Sequence, residues 1–160
     1  MNRECSDNYV DMLFIEDSPV LGKMLTMRFE IMTEGVVQCH SRGTLEDAFL
    51  FLLDHEAAAI VLDLNLETSK GADTLKEVEG FLARQNMTDV PVIIFTGSTN
   101  ETVLRQVRQR RPVFIKGDDA ELNGLTEAVY QALGTHLKKA TKGLTNDDIT
   151  LAELNVRLGA

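Results

Sequence analysis

The stretch AAIVLDLN, residues 58–65, decides the fold. Its apolar run is too short for a buried helix, is rich in Ile and Val, and stops abruptly at Asp63, so it reads as a strand covered on both faces with a carboxylate at its carboxyl end. Working outward, three similar runs appear: MLFI at 12–15, VIIF at 92–95 and VFI at 113–115. Each is followed by polar residues, Glu16-Asp17, Thr96-Gly97 and Lys116 respectively. A weaker run, VVQCHS at 36–41, carries polar residues and suits a sheet edge.

Segments with helical periodicity separate these runs. Ser18-Pro19 predicts an N-cap with proline at the first helical position, and Val20, Leu21, Met24, Leu25, Met27, Ile31 and Met32 predict a broad apolar face with the methionines as core filler. Thr44-x-x-Asp47 opens a second helix carrying Leu45, Ala48, Phe49, Leu52 and Leu53, and Leu75, Val78, Phe81 and Leu82 mark a third. Ser98-x-x-Glu101 has the capping-box spacing and predicts Ser98 as the N-cap of a fourth. Asp118-x-x-Glu121 starts a fifth with Leu122, Leu125, Val129, Ala132, Leu133 and Leu137.

Strand and helix thus alternate, which predicts an α/β fold with a parallel sheet and helices on both faces. Right-handed crossovers and the polar second strand at an edge give the order 2-1-3-4-5, a flavodoxin-like (βα)5 arrangement. In such sheets ligands sit beyond the carboxyl ends of the strands, where the winding reverses between strands one and three. The expected domain covers residues 10–140, behind a flexible polar arm at 1–9. Residues 141–160 form an extension in which Lys142-Gly143 is a break and Thr150-x-x-Glu153, with Leu151, Leu154 and Leu158, predicts one short helix.

At 160 residues, 44% apolar and 26% charged, the chain is sized for a single globular domain with a real core. The two cysteines, Cys5 and Cys39, make no disulfide framework and no C-x-x-C pair, so a reducing compartment is expected. A formal charge of −9 repels a phosphate backbone, which argues against direct nucleic-acid binding. The polar opening MNRECSDNY lacks a secretory apolar stretch and no run is long enough to span a membrane, so the expected location is the cytoplasm.

If the sheet order holds, Glu16, Asp17, Asp63, Thr96 and Lys116 converge on one pocket. Clustered carboxylates repel unless a cation neutralises them, and hard oxygen donors with open positions suit Mg²⁺. Asp63 is also a competent nucleophile toward phosphorus, and Lys116 would meet the charge on the equatorial oxygens of a transferring phosphoryl group.

This constellation, across roughly residues 10–137, resembles the receiver domain of two-component response regulators, because four separate strand ends supply the expected residue in the expected order. The resemblance implies that Asp63 accepts a phosphoryl group from the phosphohistidine of a histidine kinase or histidine phosphotransfer protein. It implies Mg²⁺ held by Asp17, Asp63 and the backbone carbonyl of Asn65, with Glu16 acting through metal-bound water. Gly71, Thr96 and Lys116 fit the family's glycine, hydroxyl and lysine positions, and Asn65 and Ser98 fall where side chains tune loss of the phosphoryl group. The Thr96 hydroxyl would donate to a phosphoryl oxygen after phosphorylation, coupling chemistry to shape. The domain would be a phosphoacceptor regulator and not an enzyme in the ordinary sense, standing alone or excised from a larger regulator. A phosphatase with an aspartyl-phosphate intermediate would want an acid at position 65, where Asn65 stands.

The chain departs from the family at Gly117, Val113 and Glu67, where receivers commonly have a proline after the lysine, an aromatic residue and a second proline. Those departures support an alternative, a receiver-shaped interaction module that works without phosphorylation. They also direct any mechanical readout through Thr96 and the Phe114 region. Arg105, Arg108, Arg110, Arg111 and Lys116 against the single acid Glu101 make residues 105–111 a basic stripe for an acidic downstream protein or a second copy of the chain, the plainer reading being a solvated helix face. His40, His55 and His136 show no ligand spacing and are expected to be surface or satisfied residues, and Cys39 a small apolar one.

Overall fold

The computed structural model describes residues 9–141. The arm before it and the extension after Thr141, with its expected short helix, lie outside the described residues. Strands β1 (Val10–Ile15), β2 (Val37–Arg42), β3 (Ala59–Leu62), β4 (Val92–Thr96) and β5 (Val113–Ile115) alternate with helices α1 (Pro19–Met32), α2 (Leu45–Asp54), α3 (Ala72–Arg84), α4 (Glu101–Arg108) and α5 (Asp119–Thr141). All strand pairings are parallel and the order is β2-β1-β3-β4-β5, the flavodoxin-like arrangement expected from the sequence.

Period-two alternation within each strand divides the core into two layers. Met12 and Phe14 of β1 face Leu25 and Phe29 of α1 and Leu125, Val129 and Leu133 of α5, whereas Leu13 and Ile15 face α2 and α3 through Leu45, Leu52, Leu75 and Val78. A strand with apolar neighbours on both sides has no solvent face to mark with polar residues, which is why MLFI and AAIVL read as unbroken runs.

Several starts lie where the sequence places them. Ser18 Oγ accepts from Leu21 N at 3.3 Å with Pro19 at the head of α1, and Thr44 Oγ1 accepts from Asp47 N at 3.1 Å. The fourth start is a correction: Asn100, not Ser98, caps α4, its Oδ1 accepting from Val103 N at 3.1 Å. Ser98 Oγ instead accepts from Asn100 N at 3.3 Å, forming the turn before the helix, because asparagine caps as well as serine and stands next to the first helical residue.

The apolar face of α1 is a second correction. Leu25 and Phe29 are buried and Leu21 and Met32 pack against the core, but Val20, Met24, Met27 and Ile31 are 71, 61, 50 and 71% exposed. Met24 and Met27 are therefore not core filler. A helix lying on a sheet buries one stripe, and Phe29 claims that stripe for the Leu25 side. In α2, Leu53 is likewise exposed, and Phe51 takes the buried place beside Leu52.

Candidate functional site

The carboxyl ends of β1, β3, β4 and β5 bring Glu16, Asp17, Asp63, Thr96 and Lys116 together. One ligand atom from each of Glu16, Asp17 and Asp63 lies within 4.8 Å of the others. Glu16 and Asp63 are buried, Thr96 is wholly so, and Asp17 is half-buried at the rim.

Asp63 sits at the centre of the hydrogen bonding. Its Oδ1 accepts from Thr96 Oγ1 and from Asn65 N, each at 3.1 Å, and its Oδ2 accepts from Lys116 Nζ at 2.8 Å. Lys116 also donates to Glu16 Oε2 at 2.5 Å, and Glu16 Oε1 accepts from Ser18 N at 3.1 Å. One ammonium thus bridges two carboxylates that would otherwise confront each other in a poorly solvated site. Burial raises the Glu16 carboxyl above its ordinary range, and the Asp63 charge adds to this, against the lowering by Lys116 and the Ser18 amide. Burial alone would lower the Lys116 ammonium, but its bonds to Asp63 and Glu16 outweigh that and raise it.

Thr96 is engaged in the unmodified domain. The sequence reading gives its hydroxyl an acceptor after phosphorylation; the structure gives it Asp63 Oδ1 beforehand, since a fully buried hydroxyl needs an acceptor and this carboxylate is within reach. Thr96 Oγ1 in turn accepts from Ser98 N at 3.3 Å, so Ser98 meets the site through its backbone and its hydroxyl serves the turn.

The lysine is positioned without proline. Among the described residues no peptide bond is cis, and Gly117 turns the chain after Lys116 at φ +100°, a left-handed conformation that disfavours any side chain. Glu121 accepts from Ile115 N at 2.9 Å and ties the end of β5 to the first turn of α5. On the other side of Asp63, the loop before α3 is closed by Thr74, whose hydroxyl lies 2.8 Å from Leu64 O and 2.9 Å from Ser69 Oγ. Local pattern marks Glu121 only as part of the Asp118-x-x-Glu121 helix start and does not mark Thr74, because each acts through a backbone group outside its own helix. Glu67 is exposed on this loop.

The donor set fits a divalent cation. Three carboxylates against one ammonium leave net negative charge, the ligand atoms are close enough to share an ion, and Asp17 supplies a carboxylate at the rim. The basic stripe is smaller than the sequence suggests: Arg110 pairs with Glu79 of α3, and Arg111 Nε lies 3.4 Å from the same carboxylate, so both clamp α3 to the end of α4. Arg105 and Arg108 remain exposed. His40 pairs with Asp11 at 2.9 Å and His55 Nδ1 lies 3.2 Å from Phe51 O, satisfied residues as expected. Cys39 is buried, and desolvation pushes its thiol up to about 12.

No protein-family model matches the chain, and no curated protein matches it in sequence. Solved structures do match in shape. A signal receiver domain of a DNA-binding response regulator from Colwellia psychrerythraea 34H superposes with a TM-score of 0.61 at 20% identity, covering 76% of this chain and 98% of that one. A two-component response regulator from Clostridium difficile gives 0.61 at 18%, covering 78% and 96%. A response regulator from Thermotoga maritima, solved in complex with Mg(2+)-BeF, gives 0.59 at 18%, covering 78% and 99%. At these identities the likeness is one of fold, and the fold is that of response-regulator receiver domains. Among the described residues no helix is long and apolar enough to cross a membrane.

Proposed function

We propose that this domain is a phosphorylatable receiver in two-component signalling: Asp63 accepts a phosphoryl group from the phosphohistidine of a histidine kinase or phosphotransfer protein, and the change alters affinity for a downstream protein. The observation that carries this reading is the Asp63 carboxylate itself, gripped by Thr96 and Lys116 and set against Glu16 and Asp17. What supports the reading is the kind of partner and not the number: an ammonium, a hydroxyl and two neighbouring carboxylates are groups that phosphoryl transfer uses.

In the transfer, an Asp63 oxygen attacks phosphorus, the O–P bond forms as the N–P bond breaks, and the electron pair returns to an imidazole that leaves neutral when its other nitrogen is protonated. Lys116 holds positive charge beside the developing equatorial oxygens, and Thr96 offers a hydroxyl donor from the floor. Asp17, Asp63 and the Asn65 carbonyl, with Glu16 through water, would hold Mg²⁺, which supplies charge neutralisation when bound. Loss of the group by hydrolysis regenerates the carboxylate and releases inorganic phosphate, so the domain is a phosphoacceptor and not a catalyst of a separate substrate's turnover.

Incubation of the full chain with Mg²⁺ and acetyl phosphate, followed by intact mass, tests this. The expected result is a single phosphate adduct that Asp63→Asn lacks. No adduct under conditions that label other receivers refutes it and leaves a receiver-shaped interaction module.

A further inference from the structure

β2 stands at one edge of the sheet, and side chains occupy the backbone groups that it turns outward. Its parallel pairing with β1 uses Val36 O, which accepts from Val10 N, and Arg42 O, which accepts from Glu16 N, each at 2.9 Å. Successive residues of a strand present their N–H and C=O groups to opposite sides, so Val37, Cys39 and Ser41 point theirs away from β1. Such a row is a template on which another chain adds a strand.

Here the row is filled from within. Cys39 N donates to Glu30 Oε1 at 3.1 Å, and Val37 N donates to Thr33 Oγ1 at 3.2 Å. The buried Thr33 hydroxyl itself donates to Phe29 O at 2.8 Å, which fixes the direction in which it accepts. Arg42 Nη1 donates to Ser41 O at 2.9 Å and covers an outward acceptor in the same way. α1 delivers the first two groups by running alongside β2 in the opposite direction: Gly22 meets Ser41, Glu30 meets Cys39 and Thr33 meets Val37. A Cβ at Gly22 would collide with Ser41 Oγ, so the glycine permits this approach.

The opposite edge repeats the device. Ile94 N donates to Pro112 O and Lys116 N donates to Thr96 O, so Ile115 N faces away from β4, and Glu121 Oε2 accepts from it at 2.9 Å. Two helices from different parts of the chain thus send a glutamate to the outward amide of the neighbouring edge strand. Water satisfies an exposed amide without ordering a side chain. A carboxylate held there also denies the position to an incoming carbonyl, because hydrogen bonds to a charged acceptor are the stronger kind.

We propose that Glu30, supported by Thr33, keeps the β2 edge closed to strand addition, the strand excluded being β2 of a second copy of this chain. A two-fold axis would bring two such edges together antiparallel, each offering its outward groups at Val37, Cys39 and Ser41 to the other. The guard does not depend on Asp63 or its phosphorylation.

Amide hydrogen exchange and sedimentation of the full chain test this. Glu30→Ala removes the acceptor, whereas Glu30→Gln keeps an oxygen that can accept and removes the charge. In dilute Glu30→Ala the Cys39 amide is expected to exchange about tenfold or more faster than in wild type. The same variant should self-associate about tenfold or more tightly than wild type, with protection returning at Cys39 as the dimer forms. Glu30→Gln should lie closer to wild type in both measurements. Unchanged Cys39 exchange or unchanged association in Glu30→Ala overturns the proposal, as does a dimer in which Cys39 still exchanges fast. Association as tight in Glu30→Gln as in Glu30→Ala also overturns it and assigns the effect to net charge. Should Glu30→Ala not fold, Glu30→Ser, whose hydroxyl is too short to reach Cys39 N, is read against the same criteria.

Discussion

Replacing Lys116 by Met keeps an unbranched apolar stem, one atom shorter, and removes the ammonium with its charge and its hydrogen-bond donors, so it reports on what the ammonium does. The wild-type Nζ bonds Glu16 Oε2 at 2.5 Å and Asp63 Oδ2 at 2.8 Å, and the two acidic side chains are only 5 and 6% exposed. Without it they face each other unpaired, and removing one partner of a buried ion pair costs about 3–5 kcal/mol. Part of that cost is relieved by proton uptake. Glu16 is already raised, chiefly by burial, and losing the opposing bond and charge of Lys116 raises it further. A carboxyl raised in the folded state binds its proton more tightly there than when unfolded, so stability falls as pH climbs from the unfolded value of 4.5 through the folded one. The variant's deficit is thus smallest at acid pH and largest above that window, where about 2–4 kcal/mol is expected after local relaxation. A divalent cation replaces the missing charge, so Mg²⁺ should stabilise the variant by a larger increment than it does the wild type. Urea unfolding in EDTA and in excess Mg²⁺, each at pH 5 and pH 8, measures all of this. A variant within about 0.5 kcal/mol of wild type in EDTA at pH 8, the size of a neutral surface substitution, and no more responsive to Mg²⁺, refutes the reading of the lysine as the cup's internal counter-ion.

Two further outcomes follow from packing and burial. A Cβ added at Gly124 would stand 2.8 Å from Cε1 and 3.1 Å from Cδ1 of the Phe114 ring, so Gly124→Ala loses about 1–3 kcal/mol to overpacking against the roughly 1 kcal/mol that alanine gains in a helix. Adding Phe114→Leu should recover the helix gain, and a double-mutant cycle in urea showing no coupling contradicts the contact. Cys39, raised from 9.0 to about 12, stays protonated in the fold while the unfolded thiol ionises. Stability therefore declines above pH 9 and Cys39→Ala flattens the decline, by up to about 1.4 kcal/mol per pH unit, as thermal melts across that range would show.

Local sequence determined more of this protein than its shape. The abrupt end of AAIVL at Asp63 and of MLFI at Glu16-Asp17 announces both a strand and the charge at its tip, because the doubly covered middle of a strand reads as a run of apolar residues. Polar β2 at the edge and right-handed crossovers then leave the observed order as the natural one, and that order collects Asp63, Thr96 and Lys116. Tertiary structure decided which of several equivalent local choices is used. Ser98 and Asn100 are both able to cap α4, and only the path of the loop from Thr96 selects Asn100. The apolar residues of α1 are too many for one buried stripe, and only packing against Phe14 and Tyr130 selects Phe29 over Met24 and Met27. The double grip of Lys116 on Glu16 and Asp63, the Thr96 bond made before any phosphorylation and the capture of Arg110 and Arg111 by Glu79 join residues distant along the chain. Such pairings depend on directions and distances that no periodicity records, since a repeat specifies a face of an element and never what that face meets.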